Sequence, residues 1–408
     1  MKILQIGSYL PPDLVGGAEY TAKCFADSFE RAGHQVVNLR WKMPPSAGFR
    51  GSVAPSTVGG WELRAWRPME PIRSAALTRK ALFYAMEWVM PVNGNALNQM
   101  IEQEAIDLIV VHSFRGLGYD ILKKIAKCNR PIVMVLHDFA LICLNKGMAR
   151  KGSICKTLCS VCRAVARRNS EALNLSPQVA LLSPSAFMLD RVRSNLNLSN
   201  AISRHIPNPN RYNFLPRVRD KSGALTWGYF GRIEPDKGFV SDLFEAADRI
   251  HRHSGARWIV AGKGSMQDAL TSFARTRPWV DFRGLLPEDQ MAQAFDAIDV
   301  LALPSLWPEN FPGILVQALG NGVPAVGFDI GGIPEVIDHG KTGIVAPFKD
   351  FQALSDAILS LDADRDRLKN MSIAALDAAN RYDADKLEGQ LLELVTQVVS
   401  RQDFSALP

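Results

Sequence analysis

Short runs of apolar residues alternate with amphipathic, helix-length segments along most of this chain. Strands that are continuously apolar and are separated by helical segments are typical of parallel sheets covered on both faces. The pattern therefore predicts an α/β fold. The predicted strands lie at residues 2–6, 35–39, 107–112, 131–136, 179–182, 225–230, 258–261, 280–283, 300–303 and 324–328.

A run of prolines and asparagines divides the chain near its middle. Residues 207–210 read Pro-Asn-Pro-Asn, a composition typical of a linker. A length of 408 residues allows two cores of ordinary domain size. We therefore expect a first domain at residues 1–206 and a second at 207–384. The last segment, 385–408, has regularly spaced leucines and valines and predicts a final helix.

The most informative stretch covers residues 304–337. The predicted strand at 300–303 leads into a proline-containing loop, a helical segment at 313–319 and a strand at 324–328. Glu309 stands in the loop just before that helix, where unpaired backbone N–H groups and the positive end of the helix dipole favour phosphate or sugar oxygens. The stretch therefore predicts a ligand-binding loop at the carboxyl end of a strand.

A second candidate loop follows the strand at 225–230. It reads Gly-Arg-Ile-Glu-Pro-Asp-Lys-Gly at residues 231–238 and lacks the order of a Walker loop. Arg232 and Lys237 lie five residues apart, so two cations and nearby backbone N–H groups can meet the negative charge of a diphosphate. We interpret this loop as a diphosphate clamp.

Two features of the first half also fall at strand ends. Gly16 and Gly17 open a helix after the first strand, without the G-x-G-x-x-G order of a dinucleotide site. His137 follows the strand at 131–136, at the carboxyl end where parallel sheets place ligand chemistry. We favour a site role for His137 over a purely structural one. His112 occupies a similar strand end with less support.

Four of the six cysteines fall within twenty residues, in a basic insertion at residues 143–162. Thiolates in such a group bind Zn²⁺ tetrahedrally, and neighbouring lysines and arginines offset their charge. The spacing differs from the paired C-x2-C signature of a zinc ribbon. A structural zinc site and four reduced cysteines in a helical insertion are both open interpretations. The four residues are Cys143, Cys155, Cys159 and Cys162.

Charge is unevenly distributed along the chain. Residues 1–205 hold 26 Lys and Arg against 14 Asp and Glu, a net charge of +12, and residues 206–408 hold 21 against 27, a net charge of −6. A basic first half suits an anionic partner such as a bilayer surface or a lipid-diphosphate acceptor. The helical segment at 77–90 places aromatic residues among arginines, which fits either an interfacial helix or one whose aromatics pack inside the domain. No recognised motif supports a nucleic-acid partner.

The chain lacks a run of about 18 uncharged apolar residues, so no transmembrane helix is expected. Its first residues, followed at once by Pro11 and Pro12, indicate a buried strand rather than a signal peptide. We therefore expect a cytoplasmic protein, and the basic half suggests peripheral binding at the inner face of the membrane.

The order of these motifs resembles that of retaining glycosyltransferases of family 4, which have the GT-B fold. That resemblance implies an α/β protein of two Rossmann-like α/β/α domains facing across a cleft, with a last helix that returns to the first domain. It implies sugar transfer from a nucleotide-sugar, most readily a UDP- or GDP-sugar, to a glycan or lipid-linked acceptor. No cofactor is expected for catalysis, because cations stabilise the leaving diphosphate. The motifs that carry the resemblance are the Gly-Gly-x-Glu loop at residues 16–19, His137-Asp138, Arg232, Lys237 and Glu309.

The same resemblance implies a role for each matched residue. Arg232 and Lys237 would stabilise the leaving diphosphate. Glu309 would hold a donor-sugar hydroxyl, and His137 would support the developing oxocarbenium centre. Further donor contacts would fall on Gly17, Gly284, Leu285, Asn310, Phe311, Pro312, Gly313, Ile314 and Gln317.

Gln317 departs from the family pattern, which has a second glutamate eight residues after Glu309. A glutamine carbonyl accepts hydrogen bonds from ribose hydroxyls but lacks the charge that strengthens them. A catalytically degenerate nucleotide-sugar-binding protein is therefore one alternative. A GT-B epimerase acting on nucleotide-sugars is another, although it needs acid–base carboxylates that the sequence does not reveal. We favour a retaining transferase of polysaccharide or lipid-linked oligosaccharide biosynthesis.

Overall fold

The chain forms two compact units. The computed structural model describes residues 1–11, 17–42, 52–64, 78, 94–118, 120–150, 153–219 and 223–404. The first unit comprises Met1–Met148, Cys155–Asn210 and the chain from Ala384 onwards, and the second comprises Ala149–Ile154 and Arg211–Asp383. Two Rossmann-like units of this kind are those of the GT-B fold.

The first unit is built on a sheet that has eight strands among the described residues, in the order β10-β9-β6-β5-β1-β2-β4-β3. Every neighbouring pair is parallel except β3 and β4. The order runs outwards in both directions from β1, so a topological switch point lies between β1 and β5. The strands up to residue 205 are β1 (Lys2–Gly7), β2 (Gln35–Lys42), β3 (Ser52–Pro55), β4 (Trp61–Arg64), β5 (Leu108–Val111), β6 (Ile132–Val135), β7 (Ala149–Arg150), β8 (Ser153–Ile154), β9 (Val179–Ser183) and β10 (Ala201–His205).

Helices cover this sheet and bury apolar faces against it. The inward residues of β1, β5 and β6, such as Leu4, Ile109 and Met134, belong to one buried cluster that continues into the helices. Parallel strands buried in this way require the continuous apolar runs that the sequence shows. The helices described over their whole length between β1 and β10 are α1 (Gly17–Arg31), α2 (Gly94–Gln103), α3 (Ile121–Ala126), α4 (Ser160–Leu173) and α5 (Ala186–Arg193).

The second unit contains an all-parallel sheet in the order β13-β12-β11-β14-β15-β16. Its strands are β11 (Thr226–Phe230), β12 (Arg257–Ala261), β13 (Val280–Phe282), β14 (Val300–Leu303), β15 (Ala325–Phe328) and β16 (Gly343–Ala346). Numbered within the unit, the order is 3-2-1-4-5-6, that of dinucleotide-binding proteins. Ligands of such sheets bind at the carboxyl ends of the two strands that flank the switch point, here β11 and β14.

Aromatic residues fill the core of the second unit. Trp227 and Trp258 pair in register on β11 and β12, and their stacked rings lie 4.6 Å apart at an interplanar angle of 9°. Both are fully buried. The surrounding helices are α6 (Ser241–Ser254), α7 (Gln267–Ala274), α8 (Met291–Asp296), α9 (Gly313–Gly320), α10 (Ile333–Val336), α11 (Phe351–Ala363) and α12 (Arg365–Ala379).

The last helix, α13 (Ala384–Phe404), belongs to the first unit. Its buried residues recur at helical spacing and include Leu387, Leu391 and Val395. Glu388 accepts hydrogen bonds from Ser28 Oγ at 3.1 Å and from the guanidinium group of Arg31, both on α1. The helix is therefore held by an apolar face and by one carboxylate.

We expect Glu388→Ala to lower the free energy of unfolding by about 1 kcal/mol, because it removes charge-assisted hydrogen bonds to Ser28 and Arg31. For a unit of this size the melting temperature should fall by about 2–4 °C in scanning calorimetry. Glu393→Ala, at an exposed position of the same helix, is the matched control. Equal melting temperatures for the two variants would contradict this assignment.

The position of the hairpin β7–β8 differs from the prediction. The sequence assigned the whole insertion at 143–162 to the first domain, but Ala149–Ile154 clusters with the second unit. Ile154 packs against the apolar core of that unit, which explains the assignment. Nothing in the hairpin's composition distinguishes it from the basic residues around it.

Two expectations from the sequence concern helices at or in a membrane. The proposed interfacial helix at 77–90 lies outside the described residues, apart from Thr78. Among the residues that the structure describes, no helix is both long and apolar enough to cross a bilayer.

Candidate functional site

Loops from three strands of the second unit meet beside its switch point. The loop after β11 lies against the loop after β14, since Leu306 N–H donates to Asp236 O at 2.9 Å. The loop after β15 joins them, because Gly332 N–H donates to Glu309 O at 2.7 Å. The two loops singled out in the sequence, 231–238 and the Glu309 loop, therefore form one site.

Two glycines allow this close approach. Gly238 has φ +94°, and a Cβ atom there would lie 2.2 Å from Pro304 O. Gly331 has φ +62°, and a Cβ atom there would lie 2.3 Å from Glu309 O. Both positions combine a left-handed backbone with a contact that no side chain tolerates. Any larger residue would push the loops that hold Lys237 and Glu309 apart.

Lys237 and Glu309 form an ion pair at the centre of this site. Lys237 Nζ lies 2.5 Å from Glu309 Oε1, and the side chains are only 15% and 14% exposed. Ser305 Oγ donates to the same carboxylate oxygen at 2.8 Å. This carboxylate is therefore fixed by two donors, and Lys237 is oriented by its partner. Ser305 was not predicted as a site residue, because its only signal in the sequence is its place in the loop after β14.

Arg232 is the more accessible of the two predicted cations. Its guanidinium group lies 3.3 Å from Asp236 Oδ2, and both side chains are about 40% exposed. Tyr229 Oη donates to Arg232 O at 2.7 Å and fixes the backbone at the start of the loop. Burial raises the pKa of Tyr229, so the phenol is a donor at neutral pH. Arg232 and Lys237 are thus each paired with a carboxylate, and these pairs were not predicted from the sequence.

Helix α9 begins four residues after Glu309, at Gly313. Its N-cap is Pro312 and its first residue is Gly313, so the first backbone N–H groups of the helix face the loop. Gln317 lies one turn further along and is half-buried. The spacing of four residues puts Gln317 on the same helix face as Gly313. The other predicted donor contacts in this stretch, Asn310, Phe311 and Ile314, are also partly exposed.

Gly284 and Leu285 follow β13 at the same edge of the sheet. Gly284 O accepts a hydrogen bond from Gly262 N–H at 2.7 Å, which ties the loops after β12 and β13 together. Leu285 is 63% exposed, an unusual degree for a large apolar side chain. The two residues were predicted as donor contacts, and that role stays a prediction.

Gly17 is the first residue of α1 in the first unit. Its carbonyl oxygen accepts from Thr21 Oγ1 at 2.9 Å. Among the described residues, a Cβ atom at Gly17 would meet no other atom within 4 Å. Gly16 lies outside the described residues, so the loop before the helix is not described.

Buried His112 and partly exposed His137 form a pair in the first unit. His112 Nδ1 lies 3.0 Å from His137 Nε2, and the rings stack with centroids 5.3 Å apart. His112 Nε2 lies 2.5 Å from Gln5 Oε1. Burial lowers the pKa of both histidines, that of His137 to about 4, so both are neutral at physiological pH. The sequence had given His112 the weaker claim, but the structure joins it to His137.

A small pocket opens beside this pair. Arg115, only 6% exposed, donates to Cys143 O at 3.3 Å. Asp138 Oδ1 accepts from Ala140 N–H at 2.7 Å and fixes the turn that follows β6. The pocket is lined by His112, Ser113, Phe114, Arg115, residues 134–138, Ala140, Leu141 and Lys146.

The four clustered cysteines are free thiols. Cys162 contacts the thiols of Cys143 and Cys159, and burial raises its pKa to about 12. Among the described residues, no group of three or more His, Cys, Asp or Glu side chains is arranged to hold a metal ion. The structural zinc site therefore stays a prediction, as does its alternative of four reduced cysteines. One zinc ion per chain by elemental analysis, lost in Cys162→Ser, is the result that would support it.

A known protein-family model matches part of the second unit. The family model of Glycosyl transferases group 1 matches residues 224–364, which include the loops of the Lys237–Glu309 site. An exopolysaccharide phosphotransferase of Streptomyces coelicolor is 33% identical over 174 residues, 42% of this chain and 18% of that protein. An uncharacterized glycosyltransferase of Methanocaldococcus jannaschii is 23% identical over 95% of this chain and 96% of its own. The chain spans only 18%, 46% and 37% of the length of three curated relatives that it matches.

Solved structures resemble the chain over nearly its whole length. Sucrose-phosphate synthase from Thermosynechococcus elongatus has a TM-score of 0.72 at 16% identity, covering 98% of this chain and 99% of that one. HepE of Anabaena, solved in complex with UDP-glucose, has a TM-score of 0.64 at 20% identity, covering 97% and 100%. The fold is therefore the GT-B fold, as the sequence predicted.

Proposed function

We propose that the chain is a retaining glycosyltransferase of family 4, which transfers a sugar from a UDP- or GDP-sugar to an acceptor hydroxyl. The observation that carries the proposal is the Lys237–Glu309 ion pair at the switch point of the second unit, with Arg232 on the same loop as Lys237. A cation for phosphate and a carboxylate for sugar hydroxyls are side by side there. The family match over residues 224–364 supports the same activity.

In this proposal the donor diphosphate binds at the loop after β11. Lys237 and Arg232 exchange part of their contact with Glu309 and Asp236 for phosphate oxygens, and backbone N–H groups at the start of α9 add further donors. Leu285 and Gly284 hold the base. Asn310, Phe311, Pro312 and Ile314 surround the sugar and the phosphates. No metal ion is required, because the cations and the helix terminus meet the charge.

The reaction is a displacement at the anomeric carbon. The bond from that carbon to the diphosphate oxygen breaks, and the acceptor oxygen forms a bond on the same face of the sugar. The acceptor proton passes to the departing phosphate oxygen. Lys237 and Arg232 stabilise the charge that grows on the diphosphate. Glu309 fixes a sugar hydroxyl, and His137 stabilises the positive charge on the sugar ring.

The experiment that tests this function is nucleotide release from UDP-, GDP-, ADP- and dTDP-sugars, with and without EDTA. Release from one donor that persists in EDTA and yields a product of unchanged anomeric configuration would support a metal-independent retaining transferase. Release without transfer to acceptor would identify hydrolysis only. Nucleotide binding without release across acceptor panels would favour the degenerate binding protein, and epimerised sugar would favour the epimerase.

We expect Gln317→Glu to tighten nucleotide binding about tenfold. A carboxylate accepts hydrogen bonds from ribose hydroxyls more strongly than an amide, by on the order of 1–2 kcal/mol. The dissociation constant of UDP or GDP, measured by titration calorimetry, checks this. Gln352→Glu, on α11 and exposed, is the control for added negative charge. Unchanged affinity in Gln317→Glu would remove this residue from the ribose site.

We further propose a glycan or lipid-linked acceptor and a role in polysaccharide or lipid-linked oligosaccharide biosynthesis. The support is the net charge of +12 over residues 1–205, which suits a lipid diphosphate or an anionic bilayer surface. Peripheral binding at the cytoplasmic face of a membrane follows from the same charge. Sedimentation with vesicles containing anionic lipid at increasing salt tests it, since such binding weakens as salt screens the charge.

A further inference from the structure

A buried polar chain joins three residues of the first unit. Gln5 lies on β1 and is fully buried, and His112, just after β5, is 6% exposed. His112 bonds to Gln5 Oε1 through Nε2 and to His137 Nε2 through Nδ1. Phe25 packs edge-on against the His112 ring at 5.3 Å. His112 therefore has a fixed position, and both of its nitrogens are engaged.

Neutral imidazole has one N–H donor and one acceptor nitrogen. When both nitrogens are hydrogen-bonded, the direction of one bond determines the direction of the other. Gln5 Oε1 only accepts, so His112 carries its proton on Nε2 and accepts at Nδ1. His137 must then donate from Nε2, which leaves its Nδ1 as a bare acceptor.

We propose that Gln5 and His112 are positioning residues that hold His137 in the Nε2–H tautomer, so that its Nδ1 presents a lone pair to the pocket. This role rests on the proposed glycosyl transfer, in which the Nδ1 lone pair is the part of the His137 ring that faces the sugar. It accepts a hydrogen bond from a sugar hydroxyl and turns negative potential towards a sugar that becomes positive in the transition state. An N–H at the same place would do the opposite.

Gln5 is not the residue that stability alone would favour. Its amide Nε2 is buried and has no hydrogen-bond partner among the described residues, which is destabilising. Gln5→Met removes this unsatisfied donor but also removes the acceptor that orients His112, and it leaves buried His112 Nε2–H without a partner. We therefore expect some loss of stability, and the melting temperature, measured beside that of Gln178→Met, shows that the variant is folded.

The test is a long-range ¹H–¹⁵N correlation spectrum of the full chain labelled at histidine, which distinguishes protonated from bare ring nitrogens. The His137 signals are assigned with His137→Asn. The expected result is a single Nε2–H form for His137 in the wild type between pH 6 and 8, replaced by a mixture of tautomers in Gln5→Met. A wild-type Nδ1–H form, or a spectrum unaltered by Gln5→Met, would overturn the proposal.

Gln178→Met is the matched control, since Gln178 is another buried glutamine of the same unit, with hydrogen bonds to backbone carbonyls near β9. It should leave the His137 tautomer unchanged even where it lowers stability. The NMR measurement needs no substrate. If the proposed function is wrong but the positioning role is right, His137 will still show a single Nε2–H tautomer in a protein that turns over no donor.

Kinetics provide the second readout. With an active donor, Gln5→Met should lower kcat about tenfold with KM within about twofold, the cost of one misdirected hydrogen bond in the transition state. Gln178→Met should leave kcat unchanged. A Gln5→Met enzyme with wild-type kcat would exclude the positioning role in turnover.

Discussion

Lys237→Met should lower kcat by about 10²–10³-fold if the chain transfers sugar from a nucleotide donor. A donor aimed at charge that develops in the transition state has an effect of this size in other enzymes. Lys237 meets the requirement of pre-organisation, since its side chain is 15% exposed and its Nζ is held 2.5 Å from Glu309 Oε1. Methionine keeps most of the apolar stem of the side chain and removes the charge.

The Lys237→Met experiment compares initial rates of nucleotide release at saturating donor. Lys369→Met, at an exposed position on α12 in the same unit, controls for loss of a positive charge. Circular dichroism and the melting temperature show whether the variant is folded. A rate within tenfold of the wild type would mean that Arg232 and the start of α9 suffice, and Lys237 would lose its assignment to the leaving group.

Much of the fold follows from the sequence because parallel strands have a simple signature. The run at 300–303 coincides with β14, and those at 225–230 and 258–261 differ from β11 and β12 by one residue at one end. These strands are buried on both faces, so their apolar runs are unbroken. The edge strand β3, Ser52–Pro55, has no such run and was not predicted. Its partner, β4, carries the buried Glu62 in a network with Arg40, Lys42 and Arg64.

The site was harder to read than the fold. Arg232, Lys237 and Glu309 were found from loops at strand ends, but their pairing depends on the order of the strands. Lys237 and Glu309 are 72 residues apart and meet only because β11 and β14 are neighbours. A strand order of 3-2-1-4-5-6 places the loops after the first and fourth strands side by side. Sequence spacing alone contains no such information.

For Gln5, the sequence shows an unusual polar residue in a strand but does not identify its hydrogen-bond partner. A glutamine within the apolar run of the first strand was visible as an exception to the pattern. Buried polar groups need partners, so the exception called for one. The partner, His112, lies 107 residues away and could be identified only once β1 and β5 were known to be adjacent, with Gln5 opposite Val110.

Glu309→Gln should lower kcat about 100-fold while leaving UDP or GDP binding unchanged or tighter. The loss of turnover follows from removing a charge-assisted hydrogen bond to the donor sugar, in the range of about 1.5–3 kcal/mol. The opposite effect on the nucleotide follows from the ion pair. Glu309 competes with phosphate for Lys237 Nζ, so a neutral side chain frees the ammonium group for the ligand.

Two measurements separate these effects: kcat from initial rates, and the dissociation constant of the nucleotide from titration calorimetry. Glu393→Gln, exposed on α13 in the first unit, is the matched control. In the double variant with Lys237→Met, the nucleotide affinity should return to that of Lys237→Met alone, because the competition requires both partners. Nucleotide binding that weakens in Glu309→Gln as much as turnover does would show that Glu309 supports the phosphate site itself. The Lys237–Glu309 ion pair would then persist when the donor is bound, and the donor would not replace it.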